Sequence, residues 1–287
     1  MDAFVIILSA ILVSTSNSLI GSFLVLRKNV MIGDAISHAV LPGLVIGFFI
    51  SESRNSFPIL LSAAIAGFLC TVFIQLLSRS KILPKDASTG FVFTLLFAIG
   101  IILVSTYASN IDIDPDCVLH GEIGYLALEE NVSIMGIESF PVSTWYILIT
   151  TLFLAIAIAL FRKQLVTSSF DPLYGETIGY RSNFWDLTIM GVTSFVTVIS
   201  FEMVGAILVV AFMSIPVATA YLISKKLNMM ILISILIGIM GSISGYLLAN
   251  LLNTSISAAI VSVMGVMFIS SLLIKNLVPS KKLIPEP

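Results

Sequence analysis

The sequence predicts an all-α fold, a polytopic bundle of membrane-spanning helices with eight or nine spans, forming a single domain over residues 1–287. Three observations predict it. Charged residues are scarce: 14 basic and 16 acidic side chains, or 10% of the chain, against about 25% in an ordinary soluble domain. Apolar residues make up 58%, and the mean hydropathy is +1.10. These residues fall into runs long enough to cross a bilayer, which takes roughly 17–25 residues per helix. So few charges could not cover a soluble globule of this size. The apolar excess excludes disorder, and a net charge of −2 without a basic patch excludes a nucleic-acid partner. The two cysteines, Cys70 and Cys117, allow no disulfide framework, and no zinc-ligand spacing is present.

The first span covers about residues 4–26. No basic residue precedes it and no small-residue cleavage site is evident, so it is expected to remain rather than be removed as a secretory signal. The second, 35–50, is short and carries Pro42 in its middle. Spans follow at 57–78, 89–108, 143–161, 186–201, 204–223, 229–250 and 256–274. The sixth and seventh are short and meet at Glu202-Met203, so a re-entrant junction there would leave eight spans. Alternating sides along nine spans places 13 of the 14 Lys and Arg on one face and only Arg54 on the other. Because Lys and Arg gather on the cytoplasmic side, the N-terminus is expected outside and the C-terminus inside.

Two connections are long. The outer one, 109–142, holds Asp112, Asp114, Asp116, Glu122, Glu129, Glu130 and Glu138 with no Lys or Arg. It reads either as a solvated loop or as a docking surface for a cation or its carrier. The inner one, 162–185, mixes charges with Phe170, Tyr174, Ile178 and Tyr180, which a purely solvated loop would not need. Something packs there, the underside of the bundle or a partner. Asp171-Pro172 suits a helix start, since Asp caps and Pro fits the first turn.

The stretch richest in chemistry is Met31-Ile-Gly-Asp-Ala-Ile-Ser-His-Ala-Val-Leu-Pro-Gly43. Asp34 and His38 are four residues apart, so a helix puts them on one face, where a carboxylate oxygen and an imidazole nitrogen can share a divalent Mn, Fe or Zn ion. Ionisable groups at membrane depth are costly and by default mark a path for ions or substrate. The other reading makes Asp34 an interfacial helix cap and His38 a core histidine satisfied by the backbone. Pro42 and Gly43 favour the ligand reading, because broken helices free carbonyls where transporters place their sites. Glu202 reads as a turn residue reaching interfacial water, or as a gate or second cation site. Gly238, Gly241 and Gly245, and Gly43 with Gly47, have the spacing of close helix contacts or of ordinary packing. Met203, Met213, Met229, Met230, Met240, Met264 and Met267 do not cluster and read as packing.

The 31–43 stretch resembles the signature of the membrane subunits of manganese, zinc and iron ABC importers, the ABC-3 permease family. Three further stretches resemble the same family in order: Ile113-Asp-Pro-Asp-Cys-Val-Leu-His-Gly-Glu-Ile123, Phe170-Asp-Pro-Leu-Tyr-Gly-Glu-Thr-Ile-Gly179, and the span beginning Ser200-Phe-Glu-Met-Val-Gly. Together they run from about residue 20 to 225, and the length fits one complete permease subunit. The resemblance implies a type II importer bundle like the vitamin B12 and siderophore permeases, in a bacterial cytoplasmic (inner) membrane. It implies a second permease copy, identical or paralogous, cytoplasmic ABC ATPase subunits and an extracytoplasmic metal-binding protein. No cofactor would be bound permanently; the metal ion is cargo. Carried over by position, Asp34 and His38 form the transport site. The 170–179 segment would engage the ATPase through Phe170, Asp171, Pro172, Tyr174, Glu176 and Gly179. His120 stands where Tyr or Phe is expected, so no role for its imidazole is inherited, and Cys117 reads as a structural thiol before a ligand. The outer motif favours manganese or iron over zinc.

No phosphate-cradling Gly-x-x-x-x-Gly-Lys-Ser/Thr loop occurs, so the chain is not expected to be an enzyme and any ATP is hydrolysed by a partner. A stand-alone ion-coupled secondary transporter is the alternative; it would favour paired intramembrane charges or an inverted repeat between the halves, and neither is evident. A membrane metalloprotease lacks its His-Glu-x-x-His helix here.

Overall fold

Runs of apolar residues between charged punctuation become helices, because in hydrocarbon every backbone N–H and C=O must be paired within the segment. The computed structural model describes residues 2–51, 56–80, 82–107, 123–128, 131–132 and 140–277. The long helices are α1 (Asp2–Leu26), α4 (Ser56–Arg79), α5 (Lys85–Tyr107), α6 (Val142–Leu160), α9 (Ser182–Val204), α10 (Ala206–Ile223), α11 (Leu227–Leu252) and α12 (Ile256–Leu277). Between α1 and α4 lie α2 (Met31–Ala39) and α3 (Leu41–Ser51), which together make one span; α7 (Arg162–Phe170) and α8 (Pro172–Thr177) fill the inner connection. Among the described residues there are nine candidate membrane spans.

Two of these boundaries differ from the sequence reading. The second span starts at Met31, and Pro42 lies in the first turn of α3, not mid-helix. The sixth and seventh spans, α9 and α10, run 23 and 18 residues and part at Gly205, not at Glu202-Met203. Gly205 has φ +77°, a region L side chains avoid, and it separates two full-length helices without a re-entrant turn. The eight-span alternative is thereby set aside.

α1 is the axis of one half of the bundle, packed against α6, α10 and α11, with α12 against α10 and α11. α2, α3, α4 and α5 form the other half, and α9 touches α1, α2, α4 and α6, joining the two. Polar pairs reinforce the joints: Ser9 and Thr144 share a hydrogen bond of 2.9 Å between α1 and α6, and Asn17 Nδ2 donates to Ser200 Oγ at 2.8 Å between α1 and α9. Such bonds between membrane helices contribute about 0.6 kcal/mol on average. A short 3₁₀ turn, Ile123–Leu128, buries Ile123 and Leu126 in the same core cluster as Ile6 and Ala10 of α1. An antiparallel pair of two-residue strands, β1 (Asn131–Val132) and β2 (Phe140–Pro141), leads into α6.

The glycines at helical spacing mark close approaches. A Cβ on Gly245 would lie 2.5 Å from the Ile260 Cα, so α11 and α12 meet backbone to side-chain root. Gly245→Val therefore costs about 1–3 kcal/mol by overpacking. Gly265→Ala, at an open position of α12, loses nothing and gains up to about 1 kcal/mol of helix propensity. Thermal unfolding of the purified protein in detergent is expected to show a lowered midpoint for the first and an unchanged or raised one for the second. The methionines behave as packing: Met203, Met213, Met230 and Met264 are buried in apolar clusters, while Met229 and Met240 are exposed.

Candidate metal centre

α1 ends in a tight hydrogen-bonded turn. Lys28 takes a left-handed conformation (φ +58°), its N–H reaches the Val25 carbonyl at 3.0 Å, and the Asn29 N–H reaches the Leu24 carbonyl at 2.9 Å. This is the paired 5→2 and 6→1 pattern that stops a helix sharply. α2 follows within two residues and carries Asp34 and His38 one turn apart.

The two side chains come together as their spacing predicts. Asp34 Oδ1 and His38 Nε2 lie 3.7 Å apart, and the side chains are 37% and 34% exposed. Their neighbours Gly33, Ala35, Ile36, Ser37 and Ala39 are buried, so Asp34 and His38 hold the open side of an otherwise packed helix. A tetrahedral metal with bonds of about 2.1 Å separates two ligand atoms by roughly 3.4 Å, close to the spacing observed here. The N-cap position of α2 is Val30 and not Asp34, and both side chains of the pair are about one third exposed.

α5 supplies residues that sequence reasoning missed. The His38 ring packs against Phe93 and Phe97, with centroids 5.8 and 5.6 Å away, the second edge-on. These apolar walls restrict the swing of the imidazole and shed water from one side of the pair. The signal was present as an aromatic pair four residues apart in α5, but nothing local ties it to His38. Across the pair from solvent, α10 presses on α2: a Cβ on Gly33 would lie 2.5 Å from the Met213 Sδ. Pro42, four residues beyond His38, has no N–H, so it denies the His38 carbonyl its usual helical partner at the α2–α3 break. Among the described residues, no group of three or more His, Cys, Asp or Glu side chains is placed to hold a metal.

The other predicted residues lie elsewhere. Glu202 is exposed in the last turn of α9, at the end opposite Arg181, and does not join the Asp34–His38 pair. Cys117, His120 and the acidic side chains of the outer connection lie outside the described residues. In the inner connection, Asp171 caps α8 by accepting a hydrogen bond from the Tyr174 N–H at 3.0 Å, with Pro172 in the first turn, as the sequence predicted. Gly175 is buried, and Gly179, at φ +88°, turns the chain towards α9. Phe170, Leu173, Tyr174 and Ile178 are 60%, 77%, 57% and 46% exposed, so they do not pack on the underside of the bundle. Glu176 is exposed beside them.

A bundle of membrane-crossing helices, with a carboxylate–imidazole pair on a broken inner helix and an apolar helix exposed at one end, defines a membrane transport protein. The chain belongs to the ABC 3 transport family, whose model matches residues 3–275. It is similar to the manganese transport system membrane protein MntD of Bacillus subtilis (strain 168), 39% identical over 97% of this chain and 94% of that protein. It is also similar to the zinc transport system membrane protein TroD of Treponema pallidum (strain Nichols), 38% identical over 92% of this chain and 71% of that one. Among solved structures it resembles PsaBC from Streptococcus pneumoniae in complex with Fab, with a TM-score of 0.76 and 28% identity over 93% of this chain and 90% of that one.

Proposed function

We propose that this chain is the membrane permease of an ATP-driven importer, and that Asp34 and His38 hold the divalent ion in transit. The observation that carries the reading is the pair itself, 3.7 Å apart on the open side of an inner helix. One oxygen and one nitrogen donor suit manganese, iron or zinc, and the similarity to manganese and zinc permeases favours those two ions. Two side-chain ligands bind weakly, which suits a site that must release its cargo.

An extracytoplasmic metal-binding protein delivers the ion to the outer face, where the acidic connection draws it and Glu202 serves as a gate. The basic end of the bundle lies in the cytoplasm, the N-terminus outside and the C-terminus inside, in the bacterial cytoplasmic membrane. There the exposed apolar surface of Phe170, Leu173, Tyr174 and Ile178 seats in an ABC ATPase. ATP binding and hydrolysis in that partner rock the two permeases, exposing the site alternately to each side.

The test is uptake of radiolabelled manganese into liposomes holding the permease, its ATPase and its binding protein. Accumulation is expected only with hydrolysable ATP and with the ATPase present. Uptake by the permease alone, driven by an ion gradient, would overturn the reading in favour of a secondary transporter.

A further inference from the structure

Arg27 follows α1 directly and is nearly buried, with its side chain 8% exposed. Its guanidinium reaches two other elements. Nε donates to Ser169 Oγ at 2.9 Å and Nη2 to Ser168 Oγ at 2.7 Å, both at the end of α7, while Nη1 pairs with the Asp186 carboxylate of α9. The serine hydroxyls spend their own protons on the Leu165 carbonyl, at 3.2 and 2.6 Å, which leaves their oxygens free to accept from Arg27. Burial pulls the guanidinium below its ordinary value, and Asp186 opposes that shift. Every arm of the fork is thus used, and a planar fork is what reaches three acceptors on two helices at once.

The position of this knot matters more than its strength. On one side, Ser169 is two residues from Asp171, the cap of α8, so the knot grips the root of the exposed helix. On the other, Arg27 opens the rigid turn through Lys28 and Asn29 that launches α2, seven residues before Asp34. Hydrogen bonds or short rigid backbone therefore link α8, the end of α7, Arg27 and the helix that carries the metal ligands. The same end of the bundle holds a half-open cleft of about 430 Å³ lined by Arg27, Ser168, Ser169, Pro172 and Asp186, so the surroundings of the knot are not solid core.

We propose that Arg27 is the positioning residue that transmits movement of the α8 segment to the Asp34–His38 helix. The assignment rests on the permease reading above, in which α8 meets the ATPase and Asp34 and His38 meet the ion. Arg27 touches neither. A purely structural ion pair would alter stability and assembly, whereas a transmitting one alters how much transport each hydrolysed ATP produces.

The experiment measures metal ions delivered per ATP hydrolysed by the complete importer in liposomes, for Arg27→Lys and for the double variant Ser168→Ala/Ser169→Ala. Lysine keeps a charge for Asp186 but loses the fork, and the double variant keeps the ion pair but frees the end of α7. Both are expected to lower the ratio by about tenfold, the size of an ordinary coupling between sites. Complex assembly and thermal midpoint are followed in parallel, and the double alanine variant serves if Arg27→Lys assembles poorly. A ratio equal to that of the unaltered importer in the assembled double variant overturns the proposal, as does a loss confined to assembly. Asp34→Ala, run alongside, separates the two claims. A lowered ratio in the clamp variants with normal uptake by Asp34→Ala keeps the clamp and rejects the metal site. The reverse pattern rejects the clamp alone.

Discussion

Replacing Asp34 by Ala, or His38 by Ala, is expected to lower metal uptake by 10- to 100-fold or more in cells that lack other importers. Perturbing only the groups that orient a metal ligand already costs about that much affinity, and here the ligand itself is removed. Asp34→Asn is the sharper variant. It keeps the shape of the side chain and its place on α2 but surrenders the charge that offsets that of the cation, so it should fail as badly as alanine. His38→Ala also removes the ring that packs against Phe93 and Phe97, 5.8 and 5.6 Å from the imidazole. His38→Phe keeps an aromatic ring at that contact without a donor nitrogen and should be equally inactive, which separates ligation from packing. Neither side chain is buried, so the folded protein should survive each change in normal amounts. Undiminished uptake with both alanine variants would remove the site from α2.

Leu173→Glu is expected to abolish ATP-driven uptake while leaving the permease itself intact. Leu173 is 77% exposed on α8, so the bundle loses little contact when it changes. On an ATPase surface the same position is an apolar anchor, and burying a carboxylate there costs about 2 kcal/mol or more, as for the central residues of other interfaces. That weakens the complex roughly 30-fold, by the usual factor of ten per 1.4 kcal/mol. Co-purification of the ATPase should fall accordingly, with the thermal midpoint of the isolated permease unchanged. Glu176→Arg, also exposed, places the opposite charge at the edge of the same surface and should chiefly slow association. Retention of the ATPase by Leu173→Glu would move the docking surface elsewhere.

What could be read from the sequence was local. Hydropathy located the spans, eight or nine, because hydrocarbon enforces long apolar helices, and the four-residue interval placed Asp34 beside His38 because a helix turns once in that distance. The Asp171 cap was equally legible, since an N-cap is settled within three residues. Boundaries set by single residues were less so. Gly205, not the charge at Glu202, separates α9 from α10, because the positive φ costs glycine nothing while a carboxylate can sit within a last helical turn. What brings Phe93 and Phe97 to His38, or Ser168 and Ser169 to Arg27, is packing between elements more than 50 residues apart in the chain, and no periodicity encodes it.

The two halves of the site ask different things of the chain. The α1 end is fixed: a hydrogen-bonded turn, a left-handed Lys28 and a buried guanidinium hold the root of α2. Its far end lacks one rung of the helical ladder: Val40 keeps both its bonds, to the Ile36 carbonyl and from the Leu44 N–H, each 3.0 Å, but Pro42 offers no N–H to the His38 carbonyl. If Asp34 and His38 are the ligands proposed above, a helix held firmly at one end and lacking a rung just beyond them is expected to tilt as a short piece that carries both together. Such a lever suits alternating exposure of a weak site better than a continuous span would.

Pulsed electron paramagnetic resonance of the purified permease loaded with Mn(II) detects the nitrogen nuclei bound to the ion, and so reads out whether His38 is a ligand. Modulation from an imidazole nitrogen is expected in the unaltered protein and is lost in His38→Ala, while Asp34→Asn retains less bound Mn(II) and shows more of the sharp six-line signal of the free aquo ion. Nitrogen modulation that persists unchanged in His38→Ala, or bound Mn(II) without any nitrogen in the unaltered protein, would contradict ligation by His38.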